Sequence, residues 1–238
     1  MSLLAAVDRG IAMNKLQKAF GIIILCAFGG AISTAAEPSS AIKIAVEGAF
    51  PPFNYLDSNK QLQGFDVDLA GALCEAAKIK CEFVIQEWTE MIPNLLAKRY
   101  DAIVSSMSMS LERRQKVAFT RKYYDSPSVF IAKKDFQFDK AKLKNVLLGV
   151  TAGTSQAAYA NKFLPDASIK IFAASPELYK GLADGTVDII LEDKLAVFDW
   201  LANTKAGNCC EFKGEDIKDA EFFGDGAGIA VRPDDAEL

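Results

Sequence analysis

Alternating and helical hydrophobic patterns succeed one another in the first half of the chain. Ile42, Ile44 and Val46 are separated by polar or small residues, which predicts a β-strand. From Asp66 to Ala77, apolar residues recur at steps of three and four, which predicts a helix with one buried face. The other elements predicted in this run are a strand at 81–85, a short helix at 91–96 and a strand at 100–104.

The same order of elements returns in the second half of the chain. Strands are predicted at 146–150, 169–172 and 187–191, and helices at 155–163 and 194–202. Between them, Ser175 is expected to cap a helix in which Pro176 lies in the first turn, and Gly185 is expected to end that helix. Two such runs predict an α/β fold of two lobes, each with a mostly parallel sheet flanked by helices.

The chain is expected to cross between these lobes and return. A late strand at 228–231 has no partner pattern after it, so it should rejoin the first sheet. We therefore expect lobe 1 to comprise residues 41–127 plus 222–238, and lobe 2 to comprise residues 128–221. In such a fold a ligand binds in the crevice outside the carboxyl ends of the strands, between the lobes.

The N-terminal segment has the pattern of a secretory signal peptide. Lys15 and Lys18 precede an almost uninterrupted apolar run over 19–32, and small residues follow it. The run is short for a membrane-spanning helix, which is the weaker interpretation. We expect residues 1–36 to be removed on export to the periplasm, and Met13 is an alternative initiator to Met1.

Composition narrows the chemistry that the chain can perform. The 238 residues include 27 Lys and Arg against 31 Asp and Glu, for a net charge of −4, and no histidine. Catalysis through a histidine base and histidine-ligated zinc are therefore excluded for this chain alone. The acidic balance argues against a nucleic-acid partner. We expect no cofactor and no metal, and what remains is mainly ligand binding or carboxylate chemistry.

Four cysteines follow the predicted signal peptide. In an oxidising compartment Cys74 and Cys81 can form a local disulfide that ties the end of a helix to the start of the next strand. Cys209 and Cys210 are adjacent, and we expect that they cannot easily bridge each other. The sequence leaves open whether either of these two is paired.

Groups that bind anions follow two of the predicted strands. Ser105, Ser106 and Ser108 come after the strand that ends at residue 104, and Arg113 lies near a helix start just beyond them. In the second run, Ser155 lies in a short loop between a strand and a helix. Hydroxyls, free backbone amides and a guanidinium can together hold a carboxylate.

Groups that bind cations also follow the carboxyl ends of predicted strands. Glu47 follows the first strand, and Glu192 and Asp193 follow the strand that ends at residue 191. Taken singly, these residues have ordinary interpretations as turns, caps and surface charges, and Phe50 and Trp88 as core aromatics. Their joint placement favours a pocket for a zwitterion.

Five segments of the chain resemble a known family. They are AVEGAFPPF (45–53), GFDVDL (64–69), DAIVSSMS (101–108) with Arg113 following, GVTAGT (149–154) and FGDG (223–226). These segments are similar to the periplasmic polar-amino-acid-binding proteins of ABC importers. The similarity is greatest to the lysine/arginine/ornithine and histidine branch, which includes opine-binding members. It covers essentially the whole chain after the signal peptide, in order.

This resemblance implies a two-lobed periplasmic-binding-protein fold of type II with a two-crossing hinge, near Pro127 and near Glu221. It implies a monomeric binding protein, not an enzyme, that delivers a basic amino acid or an opine-type derivative to an inner-membrane ABC permease. A chemoreceptor is a further possible partner. The Cys74–Cys81 pair matches a disulfide of the lysine/arginine/ornithine proteins.

The resemblance also implies roles for individual residues. Arg113, with the backbone amides of Ser108 and Ser155, would hold the ligand α-carboxylate. Asp193 and the Ser106 region would hold the α-ammonium. The full set of expected ligand-binding residues is Glu47, Phe50, Trp88, Ser105, Ser106, Ser108, Arg113, Thr151, Ser155 and Asp193.

Within that set, Phe50 and Trp88 would stack on the ligand's side-chain stem, and Glu47 would meet a distal positive group. Three positions depart from the lysine/arginine/ornithine proteins. Glu47 replaces a shorter aspartate, Trp88 a phenylalanine and Thr151 an apolar residue. These departures leave open which amino acid or opine is the ligand.

Two alternatives and one further expectation accompany this interpretation. Cyclohexadienyl dehydratases resemble these binding proteins, so an enzyme on the same scaffold is one alternative. A binding protein for a polar uncharged amino acid such as glutamine is the other. Family members continue past the last predicted strand with a helical segment that packs on lobe 1, and we expect that segment to be missing after Leu238.

Overall fold

The structure is a computed structural model that describes residues 41–235. The predicted signal peptide, the choice of initiator and the segment expected after Leu238 lie outside the described residues. The strands are β1 (Ile42–Val46), β2 (Ala49–Phe50), β3 (Asn54–Leu56), β4 (Leu62–Gln63), β5 (Cys81–Ile85), β6 (Ala102–Ile103), β7 (Ala118–Phe119), β8 (Ser128–Lys133), β9 (Leu147–Thr151), β10 (Ser168–Phe172), β11 (Ile189–Asp193), β12 (Cys210–Ile217) and β13 (Ala230–Val231). The helices are α1 (Phe65–Ala77), α2 (Met91–Leu96), α3 (Leu111–Arg114), α4 (Ser155–Phe163), α5 (Ser175–Ala183) and α6 (Lys194–Asn203).

Two five-stranded sheets form the centres of the two lobes. The first has the strand order β5-β1-β6-β13-β7, and the second has the order β10-β9-β11-β8-β12. In each sheet three neighbouring strands are parallel, and each of the two added strands pairs antiparallel with its neighbours. Both sheets are therefore mixed, with a parallel half where strand–helix–strand units follow one another and an antiparallel half where the chain enters or leaves the lobe.

Apolar side chains cover both faces of each sheet. In lobe 1, Ile44 packs with residues of α1 on one face, and its neighbour Ala45 packs with residues of α2 on the other. Successive residues of a strand point to opposite faces, so a strand covered on both sides must be apolar at consecutive positions. The second sheet is covered in the same way by two separate clusters, one containing Leu191 and the other Ile190.

Two connecting segments join the sheets. One runs from β7 to β8 and the other from β12 to β13. They lie side by side, because the Tyr123 N–H donates to the Ala227 carbonyl at 2.9 Å and the Ala227 N–H donates to the Tyr124 carbonyl at 3.0 Å. Phe222 and Phe223, which we expected in lobe 1, belong to the apolar cluster of the second sheet. The second connection therefore leaves lobe 2 after Phe223.

Two local expectations differ from the structure. Ser175 does not cap α5: the cap position is Ala174, and the Ser175 hydroxyl donates to Glu192 instead. Cys209 and Cys210, which we expected not to bridge each other easily, are joined to each other at a point where a short 3-10 turn gives way to an extended strand. That change of backbone conformation takes the two side chains out of the regular geometry of either element.

Two other local features are the expected disulfide and a close turn that requires glycine. The pair Cys74–Cys81 forms a disulfide between α1 and β5, with a Cα–Cα distance of 6.2 Å. Gly64 has φ of 119° directly before α1, and a Cβ atom there would lie 2.3 Å from the Phe53 carbonyl oxygen. Only glycine fits this close turn. Within residues 41–235, no helix is long and apolar enough to span a membrane.

Candidate functional site

A cavity between the two lobes is lined by residues from the carboxyl ends of strands in both sheets. The structure brings all ten residues of the expected set around it. Their convergence follows from topology, because the carboxyl ends of parallel strands meet at one edge of a sheet. The other lining residues, outside that set, are Thr154, Gln156, Ser175 and Glu192, of which Glu192 was expected among the cation-binding groups.

Arg113 is the buried cation of the cavity. The Ser110 hydroxyl caps α3 by accepting from the Arg113 N–H, and the Arg113 side chain is turned inward, leaving the residue 8% exposed. Its guanidinium donates to the Ser108 carbonyl at 3.1 Å and to the Gly153 carbonyl at 3.2 Å. Burial lowers the pKa of Arg113 to about 10, so it remains charged at neutral pH.

The guanidinium of Arg113 has no carboxylate within 4 Å among residues 41–235. Its other neighbour is Trp88, whose ring centroid lies 5.0 Å from the guanidinium carbon. A buried cation that meets only carbonyl oxygens and a ring face is incompletely compensated. The geometry provides a place for an anion that reaches Arg113 from the cavity.

Trp88 also connects the lobes. Its Nε1 donates to the Gly153 carbonyl at 3.1 Å, the same carbonyl that accepts from Arg113. The loop containing Gly153 belongs to lobe 2, and both donors belong to lobe 1. This carbonyl therefore holds the two lobes together along one wall of the cavity.

The start of α4 supplies backbone donors from lobe 2. Thr154 is its cap: its hydroxyl oxygen accepts from the Ala157 N–H at 3.2 Å and donates to the Thr151 carbonyl at 2.7 Å. Ser155 is the first residue of the helix and lines the cavity. The first N–H groups of a helix have no partner within it, so this end can receive an anion together with Arg113.

Asp193 lies at the opposite side of the cavity, at the end of β11. Its Oδ1 accepts from the N–H groups of Leu195 and Ala196 and from the Ser126 hydroxyl, at 2.8 to 3.0 Å. Its Oδ2 receives no hydrogen bond from the part of the chain that the structure describes. Burial raises the pKa of Asp193 to about 6 despite these donors. One oxygen thus fixes the carboxyl and the other is free for a ligand.

Glu47 has no comparable support for its side chain. Its backbone N–H donates to the Ser105 hydroxyl at 3.0 Å, which ties the ends of β1 and β6 together. Burial, with a smaller contribution from the nearby Glu87 carboxylate, raises the pKa of Glu47 to about 7. A cation in the cavity would favour the charged form of this group.

Asp66 positions Ser106 and was not expected at the site. It accepts from the Asn54 amide at 2.7 Å, the Ser106 hydroxyl at 2.8 Å and the Tyr123 hydroxyl at 2.9 Å. Ser106 has φ of 51°, a left-handed conformation that a non-glycine residue keeps only when its surroundings hold it. The sequence signal was Asp66 within GFDVDL, a segment that we had used for the family resemblance and as a helix start without giving Asp66 a role at the site.

The remaining expected residues complete the cavity wall. Phe50 stacks on Phe53, with ring centroids 5.5 Å apart, and presents an apolar surface. Ser108 forms a bridge with Ala227 of the second connection. Thr151 ends β9, is buried and lines the cavity. Within residues 41–235 no group of three or more potential metal ligands is present.

Curated relatives share most of the chain. It is 38% identical over 201 residues to an L-arginine-binding protein of Pseudomonas aeruginosa, covering 83% of this chain and 78% of that protein. It is 35% identical over 215 residues to the lysine/arginine/ornithine-binding periplasmic protein of Escherichia coli K12, covering 87% of this chain and 83% of that protein. These relatives are binding proteins of the periplasmic class.

A solved structure and a family model agree with this similarity. A Salmonella typhimurium periplasmic binding protein described for its high arginine specificity superposes with a TM-score of 0.77 at 26% identity, covering 83% of this chain and 88% of that one. The neighbours confirm the two-lobed architecture with mixed sheets and flanking helices. The model of the bacterial extracellular solute-binding proteins, family 3, matches residues 42–237, and the chain belongs to this family.

Proposed function

We propose that this protein is the solute-binding component of an ABC importer and that its cleft closes on a basic amino acid or an opine-type derivative. The names of the relatives support this proposal, because they are binding proteins for arginine, lysine, ornithine and histidine. The site carries the proposal independently through one observation. Arg113 is a buried guanidinium with no carboxylate partner in the described part of the chain, beside a cavity that also holds unpaired carboxyl oxygens.

An α-amino acid fits this distribution of charge. Its carboxylate would bind between Arg113 and the start of α4, where Ser155 offers a backbone N–H. Its ammonium would bind the free oxygen of Asp193 near Ser106. A bidentate guanidinium suits a carboxylate, and a buried carboxyl requires a cationic or hydrogen-bonding partner.

The rest of the cavity fits a long cationic side chain. Phe50 and Trp88 offer faces for an alkyl stem, and Glu47 offers a carboxyl beyond them. A polar uncharged ligand such as glutamine could donate an amide N–H to Glu47 but would bring no positive charge, so the buried carboxylate would be less well compensated than with a cation. This difference favours a basic ligand over glutamine.

The two connections between the lobes form the hinge in this proposal. The lobes would open about the segments near Pro127 and after Phe223, and the ligand would stabilise the closed form by touching both lobes. The protein would act in the periplasm as a monomer and present its closed form to the inner-membrane permease. In this proposal a chemoreceptor that binds the same closed form is a further partner.

A thermal-shift screen tests the proposal. The protein, freed of co-purified ligand, would be heated with each of the twenty amino acids, ornithine, citrulline, octopine and nopaline. A ligand that binds only the folded state at 100 times its Kd should stabilise it by about 2.7 kcal/mol. We expect shifts with cationic compounds. Shifts confined to neutral amino acids, or none at all, would contradict the proposal, and turnover of prephenate or arogenate would favour the enzyme alternative.

A further inference from the structure

The cavity holds two polar groups that the α-amino-acid anchors do not use. Thr151 and Glu192 lie at the carboxyl ends of β9 and β11, which are neighbouring parallel strands. Both residues are 4% exposed and both line the cavity. Neither is needed to hold an α-carboxylate or an α-ammonium in the proposal above.

The Thr151 hydroxyl is an unsatisfied group. Its Oγ1 is buried and has no hydrogen-bond partner among residues 41–235. A buried hydroxyl without a partner is unfavourable, and native proteins rarely keep one without a reason. At the wall of a binding cavity, the reason is supplied by a ligand donor or acceptor that reaches the hydroxyl.

Glu192 is held in place but not saturated. Its Oε2 accepts from the Ser175 hydroxyl at 2.9 Å, and its Oε1 accepts from the Asp193 N–H at 2.8 Å. Each carboxyl oxygen has two acceptor positions, so each oxygen retains one. Two fixed oxygens facing a cavity are suited to a ligand with several N–H donors in one plane.

Glu192 lies toward the Glu47 end of the cavity. Ser175 begins α5, and α5 packs against β2 of lobe 1, the strand that follows Glu47. The charge of Glu47 also contributes to the raised pKa of Glu192. The ionisable groups around Glu192 are Asp193 on its own strand, Tyr179 on α5, and Glu47 from lobe 1.

We propose that Glu192 and Thr151 complete, with Glu47, a receptor for a planar cationic group at the distal end of the ligand, and that this receptor favours a guanidinium over an ammonium. A guanidinium presents five N–H donors in a rigid plane, whereas an ammonium presents three around a point. Three acceptors from two lobes match the first group better. This inference rests on the proposed function and specifies its ligand.

Calorimetric titration of the ligand-free protein with arginine, lysine and citrulline tests the receptor. Citrulline has nearly the shape of arginine without its charge. We expect the parent protein to bind arginine at least about tenfold tighter than lysine, and citrulline more weakly than either, since hydrogen bonds to charged groups are the stronger ones. A parent protein that prefers lysine or citrulline would overturn the inference without any variant.

Two variants separate recognition from structure. Glu192→Gln keeps one acceptor oxygen for the Asp193 N–H, and the Ser175 hydroxyl can rotate to accept from the new amide. We therefore expect it to fold, to lose arginine affinity by about tenfold or more, and to change citrulline affinity little. Thr151→Val should weaken arginine binding several-fold and lysine binding by a smaller factor. Glu177→Gln, an exposed carboxyl on the same helix as Ser175, is the matched control and should change neither affinity.

The outcomes distinguish this inference from the proposed function. If Arg113→Ala abolishes arginine binding while Glu192→Gln and Thr151→Val bind arginine and lysine as the parent does, the proposed function stands and the receptor is wrong. If the parent binds no cationic amino acid, both are wrong. If Glu192→Gln unfolds, which a melting experiment would reveal, Thr151→Val and the parent's preference among the three ligands still test the receptor.

Discussion

Arg113 shows how a single side chain can define a ligand class. Its guanidinium is buried and charged, and within residues 41–235 it is hydrogen-bonded only to the carbonyls of Ser108 and Gly153. Any α-amino acid has a carboxylate to offer it, so this group anchors the shared part of the ligand. The variable part must then be recognised by other residues, of which Glu47, Phe50 and Trp88 were predicted from the sequence.

Removing the Arg113 guanidinium should therefore affect all amino-acid ligands alike. We expect Arg113→Ala to lower affinity at least about a hundredfold, because a buried charge-assisted pair is lost, and Arg113→Lys to restore only part of it. Calorimetric titration measures both. Arg114→Ala is the matched control, since Arg114 donates to the Met109 carbonyl and does not line the cavity. Parent-like binding by Arg113→Ala would mean that the pocket lies elsewhere.

Glu47 should discriminate among ligands rather than anchor them. We expect Glu47→Gln to weaken cationic ligands by about tenfold and to leave neutral amino acids unchanged or slightly favoured, because the amide removes the charge but keeps an acceptor. Thermal shifts across the ligand panel measure this selectivity. Glu75→Gln changes an exposed carboxyl on α1 that does not line the cavity and should leave the ranking as it is. Equal losses for cationic and neutral ligands would contradict the assignment.

The residue patterns predicted the position of the cavity better than the role of each group that lines it. Glu47 and Asp193 could be placed at strand ends, and Arg113 near the helix start that follows a strand, from hydrophobic pattern alone. Ser175 could not, because a serine before a proline and a glutamate is typical of a cap, whereas its hydroxyl reaches Glu192 on another strand. Asp66 was missed for the same reason: its partners lie 12 to 57 positions away along the chain.

At the scale of elements, amphipathic patterns predicted helices more sharply than strands. Helix α4 has the predicted bounds, since its cap and its apolar face are both local signals. Strands β8 and β12 were not predicted. β8 is buried at nearly every position and shows no alternation, and β12 carries charged side chains along the edge of the sheet. The mixed character of the second sheet follows from these two strands, which no local pattern indicates.

The disulfide between α1 and β5 should stabilise lobe 1. It closes a short loop of 7 positions, for which the chain-entropy estimate is about 2 to 3 kcal/mol. We expect the double variant Cys74→Ala, Cys81→Ala to melt at a lower temperature and to bind ligand with parent-like affinity, because neither cysteine lines the cavity. Calorimetric melting with and without ligand measures this. Cys209→Ser, Cys210→Ser is the control, since a bridge between adjacent residues closes almost no loop.

At the scale of the whole molecule, acidic groups accumulate between the lobes. Burial raises the pKa of Glu47 to about 7, of Glu192 to about 8 and of Asp193 to about 6, and it raises the pKa of Asp66 as well. The chain has no histidine, so these carboxyls dominate side-chain titration between pH 5 and 8. The pH dependence of the protein therefore reports on its cleft.

The sign of that dependence follows from linkage. A carboxyl whose pKa is higher in the folded protein keeps its proton at pH values at which the unfolded chain has lost it. The free energy of unfolding therefore falls as pH rises from the unfolded pKa, near 4.5 for glutamate, to the folded pKa. Where such a carboxyl is protonated in the folded protein and ionised in the unfolded chain, it lowers the free energy of unfolding by about 1.4 kcal/mol per pH unit. We expect the ligand-free protein to lose stability from about pH 5 to pH 8.

A cationic ligand should reverse this trend, because it favours the charged carboxyls that destabilise the empty cleft. Its affinity should rise with pH across the same interval, and binding at pH 7 should release protons, measurable by calorimetry in buffers of different ionisation enthalpy. Urea unfolding at each pH, with and without ligand, checks the stability change. Glu192→Gln should flatten the ligand-free profile near pH 8. A profile that is flat in the parent, or proton uptake on binding, would show that the cleft carboxyls do not face the ligand's charge.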